Sequence, residues 1–204
     1  MKKLNLLLLI AFSASLFSFT TDQPTGYKVG DIAQDFKLKN VDGKLMSLNN
    51  FSDAKGFIVV FTCNHCPFSQ AYEQRIINLH KKYSPQGYPV IAINPNDKDR
   101  EPEDSYENMQ KRAKEKKYPF VYLYDETQAT AKIYGAARTP HIYILKKTAK
   151  GNVVEYIGSI DDNFEEPEQV KQKYAEGALN ALLAEKPVST TSTKAIGCSI
   201  KWKK

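Results

Sequence analysis

The feature that most constrains this chain is an apolar run of five residues that leads directly into two cysteines. Residues 57–61 read Phe-Ile-Val-Val-Phe, and residues 63–67 read Cys-Asn-His-Cys-Pro. A short, apolar, β-branched run is typical of a strand that is covered on both faces. Pro67 fits the first turn of a helix, where no backbone N–H is needed. The sequence therefore predicts a buried strand, a dithiol at its end and a helix that opens on the second cysteine.

The position of this dithiol favours redox chemistry. A thiol at a strand-to-helix junction lies beside unpaired N–H groups and the positive end of the helix dipole, which stabilise a thiolate. We expect Cys63 to be the exposed nucleophile that attacks a disulfide, and Cys66 to resolve the mixed disulfide. We expect His65 to donate a hydrogen bond or a positive charge to the Cys63 sulfur, and Asn64, its neighbour in the spacer, to share this tuning role.

Two other interpretations of the cysteine pair stay open. A tetrahedral zinc site needs four ligands, and beyond the pair the chain offers only scattered candidates, namely His65, His80, His141 and Cys198. A purely structural disulfide across so short a loop adds little stability, because the entropic gain grows with loop length. We expect neither a metal nor another cofactor. Cys198 is an accessory thiol that either packs in the tail or forms a disulfide with Cys63 or with another molecule.

Periodicity and turn signals predict an alternating α/β order for the rest of the chain. A hairpin is expected around Asp42-Gly43, because this pair supplies the positive φ that a tight turn needs. Further strands are expected at residues 88–93, 119–124, 140–145 and 153–157, and helices at 67–83, 105–117, 127–134 and 169–183. This order predicts one central mixed sheet with helices on both faces.

The first twenty residues differ from the rest and indicate a secretory signal peptide. Lys2 and Lys3 precede an apolar run at residues 4–10, and no acidic residue occurs before residue 21. We expect cleavage near residues 18–22 and an exported, periplasmic protein that is not stably inserted in a membrane; an uncleaved anchor is the alternative. The remainder is expected to form one domain at residues 26–185, followed by a tail at 186–204 that packs back on it.

The charge of the chain argues against nucleic acid as a partner. The formal net charge is +6, of which the two lysines of the signal segment supply two. No dense basic face interleaved with aromatic side chains is present in the sequence. We expect a monomer that exchanges electrons with protein thiols or disulfides and with an upstream redox partner.

Several further motifs accompany the dithiol, and they are Gly30-Asp31-x-Ala33-x-Asp35-Phe36, the turn at residues 41–44, and Thr139-Pro140. Together with Cys-Asn-His-Cys-Pro they resemble the thioredoxin-like superfamily, in particular its redoxin branch of AhpC/TSA and TlpA/ResA-like proteins. The resemblance implies a thioredoxin-like α/β fold with an N-terminal β-hairpin extension, and thiol–disulfide oxidoreductase activity. It also implies that Pro140 is cis, although the general preference is trans, and that the Thr139 backbone pairs with a bound substrate chain.

The same scaffold suggests two alternative functions. Peroxiredoxins need Pro-x-x-x-Thr/Ser-x-x-Cys, but Gly56 and Val60 occupy the proline and hydroxyl positions ahead of the first cysteine. Sco-type copper chaperones use C-x-x-x-C-P and a distant histidine; the spacing here is one residue shorter, and His141 is the best-placed histidine. Thioredoxin itself has a buried acid six residues before its first cysteine, where this chain has Phe57, so the sequence identifies no proton acceptor for Cys66.

Overall fold

A computed structural model describes residues 26–204, and the predicted signal peptide lies outside them. In chain order the strands are β1 (Ile32–Ala33), β2 (Leu38–Asn40), β3 (Leu45–Met46), β4 (Gly56–Phe61), β5 (Val90–Asn94), β6 (Val121–Tyr124), β7 (Arg138–Thr139), β8 (His141–Thr148), β9 (Gly151–Gly158) and β10 (Cys198–Ser199). The α-helices are α1 (Pro67–Tyr83), α2 (Tyr106–Glu115), α3 (Ala129–Tyr134) and α4 (Tyr174–Leu183). Within this part of the chain, no helix combines the length and the apolar character that a membrane crossing requires.

Eight strands form one mixed sheet in the order β1-β9-β8-β4-β5-β6-β2-β3. Strands β4, β5 and β6 run parallel, while β4 and β8, and then β8 and β9, are antiparallel. The apolar run of the sequence lies in β4, between β5 and β8, and every residue of β4 is buried. The predicted central mixed sheet is therefore confirmed, with the strand that leads to the dithiol in its middle.

Successive residues of β4 point to opposite faces of the sheet and build two cores. Ile58 and Val60 pack with buried side chains of α1, α2 and α4 on one face. Phe57, Val59 and Phe61 pack with α3 and with both terminal segments on the other face. Because both faces are covered by helices, the run has no alternation of polar and apolar residues.

The N-terminal hairpin is confirmed as β2 and β3, which pair antiparallel. Gly43 stands in its turn with φ at 87°, a value that a residue with a Cβ rarely adopts. Strand β2 also pairs with β6, so the hairpin extends the sheet at one edge.

The last helix is shorter than predicted, since α4 begins at Tyr174 and not at residue 169. The Asp162 carboxylate accepts the Lys171 N–H at 3.0 Å, and the Asp162 N–H donates to the Gln172 carbonyl at 3.2 Å. These bonds hold residues 171–172 in a loop, which a local periodicity cannot reveal.

The C-terminal segment returns to the edge of the sheet where the parallel strands end. Strand β10 pairs antiparallel with β7, with Cys198 opposite Thr139. The Lys201 N–H donates to Asn96 Oδ1 at 2.9 Å, and Ile200 is buried in the second core. The tail thus covers the loops that follow the carboxyl ends of the parallel strands, where sites form in open α/β sheets.

Candidate redox site

The three cysteines of the chain meet at one place, although one of them is far away in sequence. Cys63 follows β4, Cys66 is the N-cap of α1, and Cys198 lies on β10. All three are free thiols, and the Cys66 sulfur is a hydrogen-bonding neighbour of the thiols of Cys63 and Cys198. Cys63 and Cys66 are 4% and 0% exposed, whereas Cys198 is half-buried. The site is therefore a cluster of three thiols, of which only the one from the tail faces solvent.

Cys66, and not Cys63, occupies the position that favours a thiolate. Because Pro67 takes the first helical position, the N-cap of α1 is Cys66. The neighbouring Cys63 thiol, followed by the thiol of Cys198 and the N–H groups of Ser69 and Cys198, lowers the pKa of Cys66 in spite of its burial. The helix N-terminus thus stabilises negative charge on the second cysteine.

The expectation that Cys63 is exposed is wrong for this structure, in which the residue is 4% exposed. The Cys63 sulfur lies 3.3 Å from Thr139 Oγ1 and 3.6 Å from Ser69 Oγ in a buried setting. Its pKa is raised, first because it shares a hydrogen bond with Cys66, then because it is buried and faces the Asp104 carboxylate. The two thiols of the pair are therefore hydrogen-bonded to each other in a buried setting, which raises the pKa of Cys63.

A buried carboxylate, Asp104, organises the loop between the two cysteines, and sequence reasoning missed it. Its oxygens accept the Asn64 N–H at 2.6 Å, the Asn96 side-chain amide at 2.6 Å and the His65 ring at 2.7 Å. Asp104 is 0% exposed, yet it belongs to the charged stretch at residues 97–104, which the sequence presents as a solvated loop. No local pattern separates it from the other acids of that stretch, because its partners come from distant elements.

The side chains of His65 and Asn64, expected to tune the thiols, are directed to other groups. His65 Nε2 lies 3.1 Å from the Glu101 carboxylate, while its Nδ1 contacts the buried acid just described. Asn64 Nδ2 donates to the Glu103 carbonyl at 2.9 Å, and the Tyr122 hydroxyl donates to Asn64 Oδ1 at 2.9 Å. Both residues hold the loop that carries the thiols.

Thr139 and Pro140 lie against the cysteine pair. The bond between them is cis, as the resemblance implies. The Thr139 carbonyl accepts the Cys66 S–H at 3.3 Å when that thiol is protonated, and Thr139 Oγ1 contacts Cys63. The backbone edge that was expected to pair with a substrate is paired with Cys198 of the tail.

One group of side chains at the site has the composition of a cation site. Cys63, His65 and Asp104 each offer a ligand atom, and these atoms lie within 4.8 Å of one another. The Asp104 oxygens are already engaged by N–H donors, and three ligands leave a tetrahedral protein site incomplete. His141, the histidine considered for copper, pairs with Phe61 in the sheet and is outside this group; burial lowers its pKa to about 4. The arrangement favours a hydrogen-bonded network over a metal centre.

A small pocket lies beside Cys63. Its other lining residues are Thr62, Ser69, Glu73, Ile76, Tyr118 and Phe120. Glu73 is fixed there by Arg112 Nε at 2.7 Å and by the Tyr118 hydroxyl at 2.5 Å. Glu73 thus places a carboxylate in the small pocket that borders Cys63.

The family model described as "AhpC/TSA family" matches residues 29–156. The chain belongs to the AhpC/TSA family. The matched residues include the dithiol and Thr139-Pro140, whereas the tail with Cys198 lies beyond them. Membership of the AhpC/TSA family, together with the fold, supports a thiol-dependent redox activity of the oxidoreductase or peroxidase type.

Two solved structures resemble this AhpC/TSA protein over most of their length. An uncharacterized conserved protein from Geobacillus kaustophilus is 42% identical, covers 86% of this chain and 93% of that one, and has a TM-score of 0.78. A hypothetical protein from Sinorhizobium meliloti is 34% identical, covers 87% and 96% of the two chains, and also has a TM-score of 0.78. Neither description states an activity.

Two more distant similarities give weaker evidence about fold and function. The thioredoxin domain of a thiol–disulfide oxidoreductase from Bacteroides vulgatus is 18% identical, covers 63% of this chain and 87% of that one, and has a TM-score of 0.52, which supports the thioredoxin-like fold alone. A chloroplastic phospholipid hydroperoxide glutathione peroxidase from Arabidopsis thaliana is 30% identical over 59 residues. That match spans 29% of this chain and only 25% of the peroxidase. The predicted thioredoxin-like α/β fold is confirmed.

Proposed function

We propose that this protein is a thiol–disulfide oxidoreductase, in which Cys63 and Cys66 cycle between a dithiol and a disulfide against protein substrates. The observation that carries the proposal is the location of the pair. The two sulfurs lie together at the N-terminus of α1, both contact Thr139, and the charge of one is stabilised by the thiol of the other. A pair of hydrogen-bonded thiols placed in this way is suited to two successive exchange steps.

In the proposed cycle Cys66, whose pKa is lowered, accepts the proton of Cys63. In the reducing direction Cys63 attacks a substrate disulfide while its proton passes to the Cys66 thiolate. The new bond joins Cys63 to one substrate sulfur, and the other substrate sulfur leaves as a thiolate that takes up a proton from solvent. Cys66 then returns its proton to solvent, because its lowered pKa favours this, and attacks Cys63. The second substrate sulfur leaves, and the Cys63–Cys66 disulfide remains; the reverse sequence oxidises a substrate.

Export and the choice of partners belong to the same proposal. The basic start and the apolar run at residues 4–10 support export to the periplasm. In that compartment the protein would act as a monomer on thiols or disulfides of other exported proteins, with an upstream redox protein that restores its starting state. The backbone of Thr139 would pair with the substrate chain once its edge is free.

The test is the equilibrium between the Cys63/Cys66 couple and glutathione, followed by alkylation of free thiols and electrophoresis. We expect a reversible two-electron transition in the wild type and in Cys198→Ser, and none in Cys63→Ser or Cys66→Ser. An insulin-reduction assay on the same proteins measures catalysis. A wild-type protein in which neither cysteine cycles would refute the proposal.

A thiol peroxidase is the second candidate, and the pocket beside Cys63 is the observation that favours it. Thr139 Oγ1 and Ser69 Oγ, both within reach of the Cys63 sulfur, are hydroxyls that could polarise a peroxide bound there. The sequence argues against a peroxidase, because Gly56 occupies the proline position of the peroxidase pattern and Val60 occupies its hydroxyl position. Consumption of hydrogen peroxide with dithiothreitol as reductant separates the two: turnover that depends on Cys63 and exceeds the rate of protein disulfide exchange would favour peroxidase.

A further inference from the structure

The C-terminal tail occupies the place at which a substrate backbone would pair. Strand β10 pairs antiparallel with β7, so that Cys198 stands opposite Thr139 and Ser199 opposite Arg138. This edge directly precedes Pro140 and borders both sulfurs of the dithiol. An extended segment that carries a cysteine and adds a strand here has the geometry of a bound cysteine-containing peptide.

The tail is fitted to this position by directed contacts. A Cβ on Gly197 would lie 2.3 Å from the Thr139 carbonyl oxygen, so only glycine permits the close approach of the two backbones. The Arg138 guanidinium donates to the Gly197 carbonyl at 3.3 Å, and the Ile200 N–H donates to the Ala137 carbonyl at 3.3 Å. The segment around Cys198 is therefore held at both of its ends.

The remainder of the tail is anchored beyond the site. The Lys201 carbonyl accepts the Asp97 N–H at 2.9 Å and the Gln128 side-chain amide at 2.8 Å. The Lys203 N–H donates to Gln128 Oε1 at 2.8 Å. These bonds place the tail against loops that follow β5 and β6, and they fix Cys198 next to Cys66.

The protonation of Cys198 is coupled to the state of the buried pair. Burial, followed by the neighbouring thiol and negative charge of Cys66, raises the pKa of Cys198, whereas Lys201 and Arg138 lower it. When Cys63 and Cys66 form a disulfide, the negative charge on Cys66 no longer exists, while the two cationic side chains stay. Oxidation of the pair thus favours the Cys198 thiolate, the form that attacks a disulfide.

We infer that Cys198 is a third redox thiol, which relays electrons between protein substrates and the buried Cys63/Cys66 pair. The inference rests on the proposed function. It identifies Cys198 as the thiol that substrates reach first, because Cys198 alone among the three thiols faces solvent. The substrate class it implies is a protein or peptide dithiol that reaches the half-buried tail without entering the site.

The relay balances as three successive thiol–disulfide exchanges. In the oxidising direction, the Cys198 thiolate attacks the Cys66 sulfur of the Cys63–Cys66 disulfide; a Cys66–Cys198 bond forms, and Cys63 leaves and takes up the proton that Cys198 lost. A substrate thiolate then attacks Cys198, and Cys66 leaves as a thiolate. The second substrate thiolate attacks the first substrate sulfur and displaces Cys198. Two electrons pass from the substrate dithiol to the protein, and the two protons that the substrate thiols release are taken up by Cys66 and Cys198; the reverse order reduces a substrate disulfide.

The relay is tested by trapping its intermediate in the full chain. Cys63→Ser leaves Cys66 and Cys198, and on treatment with diamide we expect a Cys66–Cys198 disulfide in the monomer, identified by mass spectrometry of peptides after acid quench. Cys66→Ser is the matched control and should give no intramolecular Cys63–Cys198 disulfide. Failure of Cys63→Ser to form the Cys66–Cys198 bond overturns the relay.

The second measurement is the rate at which the oxidised protein oxidises a synthetic peptide dithiol. Cys198→Ser keeps the backbone contacts of the tail, and we expect its rate to fall about tenfold, because the peptide must then reach a buried sulfur. Its Cys63/Cys66 pair should still cycle with glutathione, and Ser199→Ala should match the wild type. A Cys198→Ser rate equal to or above that of the wild type overturns the relay. Absence of any Cys63/Cys66 cycle with glutathione in the wild type would instead refute the proposed function itself.

Discussion

Replacement of Gly197 by alanine is the sharpest test of how the tail is held. The new Cβ would meet the Thr139 carbonyl oxygen at 2.3 Å and its carbon at 2.6 Å, both backbone atoms that cannot turn away. To reach ordinary van der Waals contact, β10 must move outward by about 1 Å. The hydrogen bonds of Ile200 to Ala137 and of Arg138 to Gly197 are already 3.3 Å long, so this shift breaks both.

The expected cost follows from what the tail loses. Two hydrogen bonds contribute about 1 kcal/mol each, and burial of the Ile200 side chain about 2 kcal/mol. The freed tail regains conformational entropy that offsets roughly half of this sum. We therefore expect Gly197→Ala to lower the free energy of unfolding by about 2 kcal/mol.

The assay combines urea unfolding with amide hydrogen exchange. In Gly197→Ala the N–H groups of Ile200 and Lys201, which are bonded to Ala137 and Asn96 in the wild type, should lose their protection. Gly177→Ala is the matched control: Gly177 is exposed on α4 with open space around it, so alanine should raise stability by about 0.5–1 kcal/mol. Retained protection at Ile200, with stability within about 0.5 kcal/mol of the wild type, would contradict the reasoning.

Two further predictions concern buried titratable groups. In Asp104→Asn, the new NH₂ group faces the donors of Asn96 or His65. We expect this variant to lower the free energy of unfolding by about 3 kcal/mol in urea titrations. The control is Asp99→Asn at an exposed carboxylate, which should change the free energy of unfolding by less than about 0.5 kcal/mol. Asp104→Asn also removes a charge that raises the pKa of Cys63, so alkylation of Cys63 at neutral pH should become faster; an unchanged rate would show that the carboxylate does not act on the thiol. Burial lowers the pKa of His141 to about 4, below its value in the unfolded chain. The unfolded chain therefore binds a proton at this residue more readily than the folded protein does. The stabilisation by the neutral ring is complete above about pH 6.5 and is lost as the pH falls toward 4. Unfolding followed across this range should show a smaller pH dependence in His141→Phe than in the wild type, and equal dependence in the two proteins would assign the effect to other groups.

Much of the fold could be predicted from the sequence because its signals are local. The apolar run at residues 57–61, Pro67 and the Asp42-Gly43 turn each act within a few residues, and each lies where the sequence predicts. Ser105 is likewise the N-cap of α2, and its side chain accepts the Asn108 N–H. The start of α4 could not be predicted, because contacts made by Asp162 decide it.

The candidate site was predictable only in part. The sequence shows Cys63 and Cys66 as a pair, but only the structure shows that the neighbouring thiols of Cys63 and Cys198 lower the pKa of Cys66. Asp104 was hidden among other charged residues, since its burial depends on hydrogen bonds to Asn64 and Asn96. These features follow from three-dimensional neighbours and have no counterpart in local sequence.

The sequence alone determined that this chain places a Cys-x-x-Cys pair at the end of a buried central strand, because apolar periodicity and proline act over short distances. The sequence also predicted that the tail packs back on the domain, but only the tertiary structure shows that it brings Cys198 to Cys66. That contact depends on the backbone approach of Gly197 to Thr139 and on anchors at the ends of β5 and β6. Contacts between residues so distant along the chain leave no periodic trace, and only the packed fold shows that the dithiol is one part of a three-thiol site.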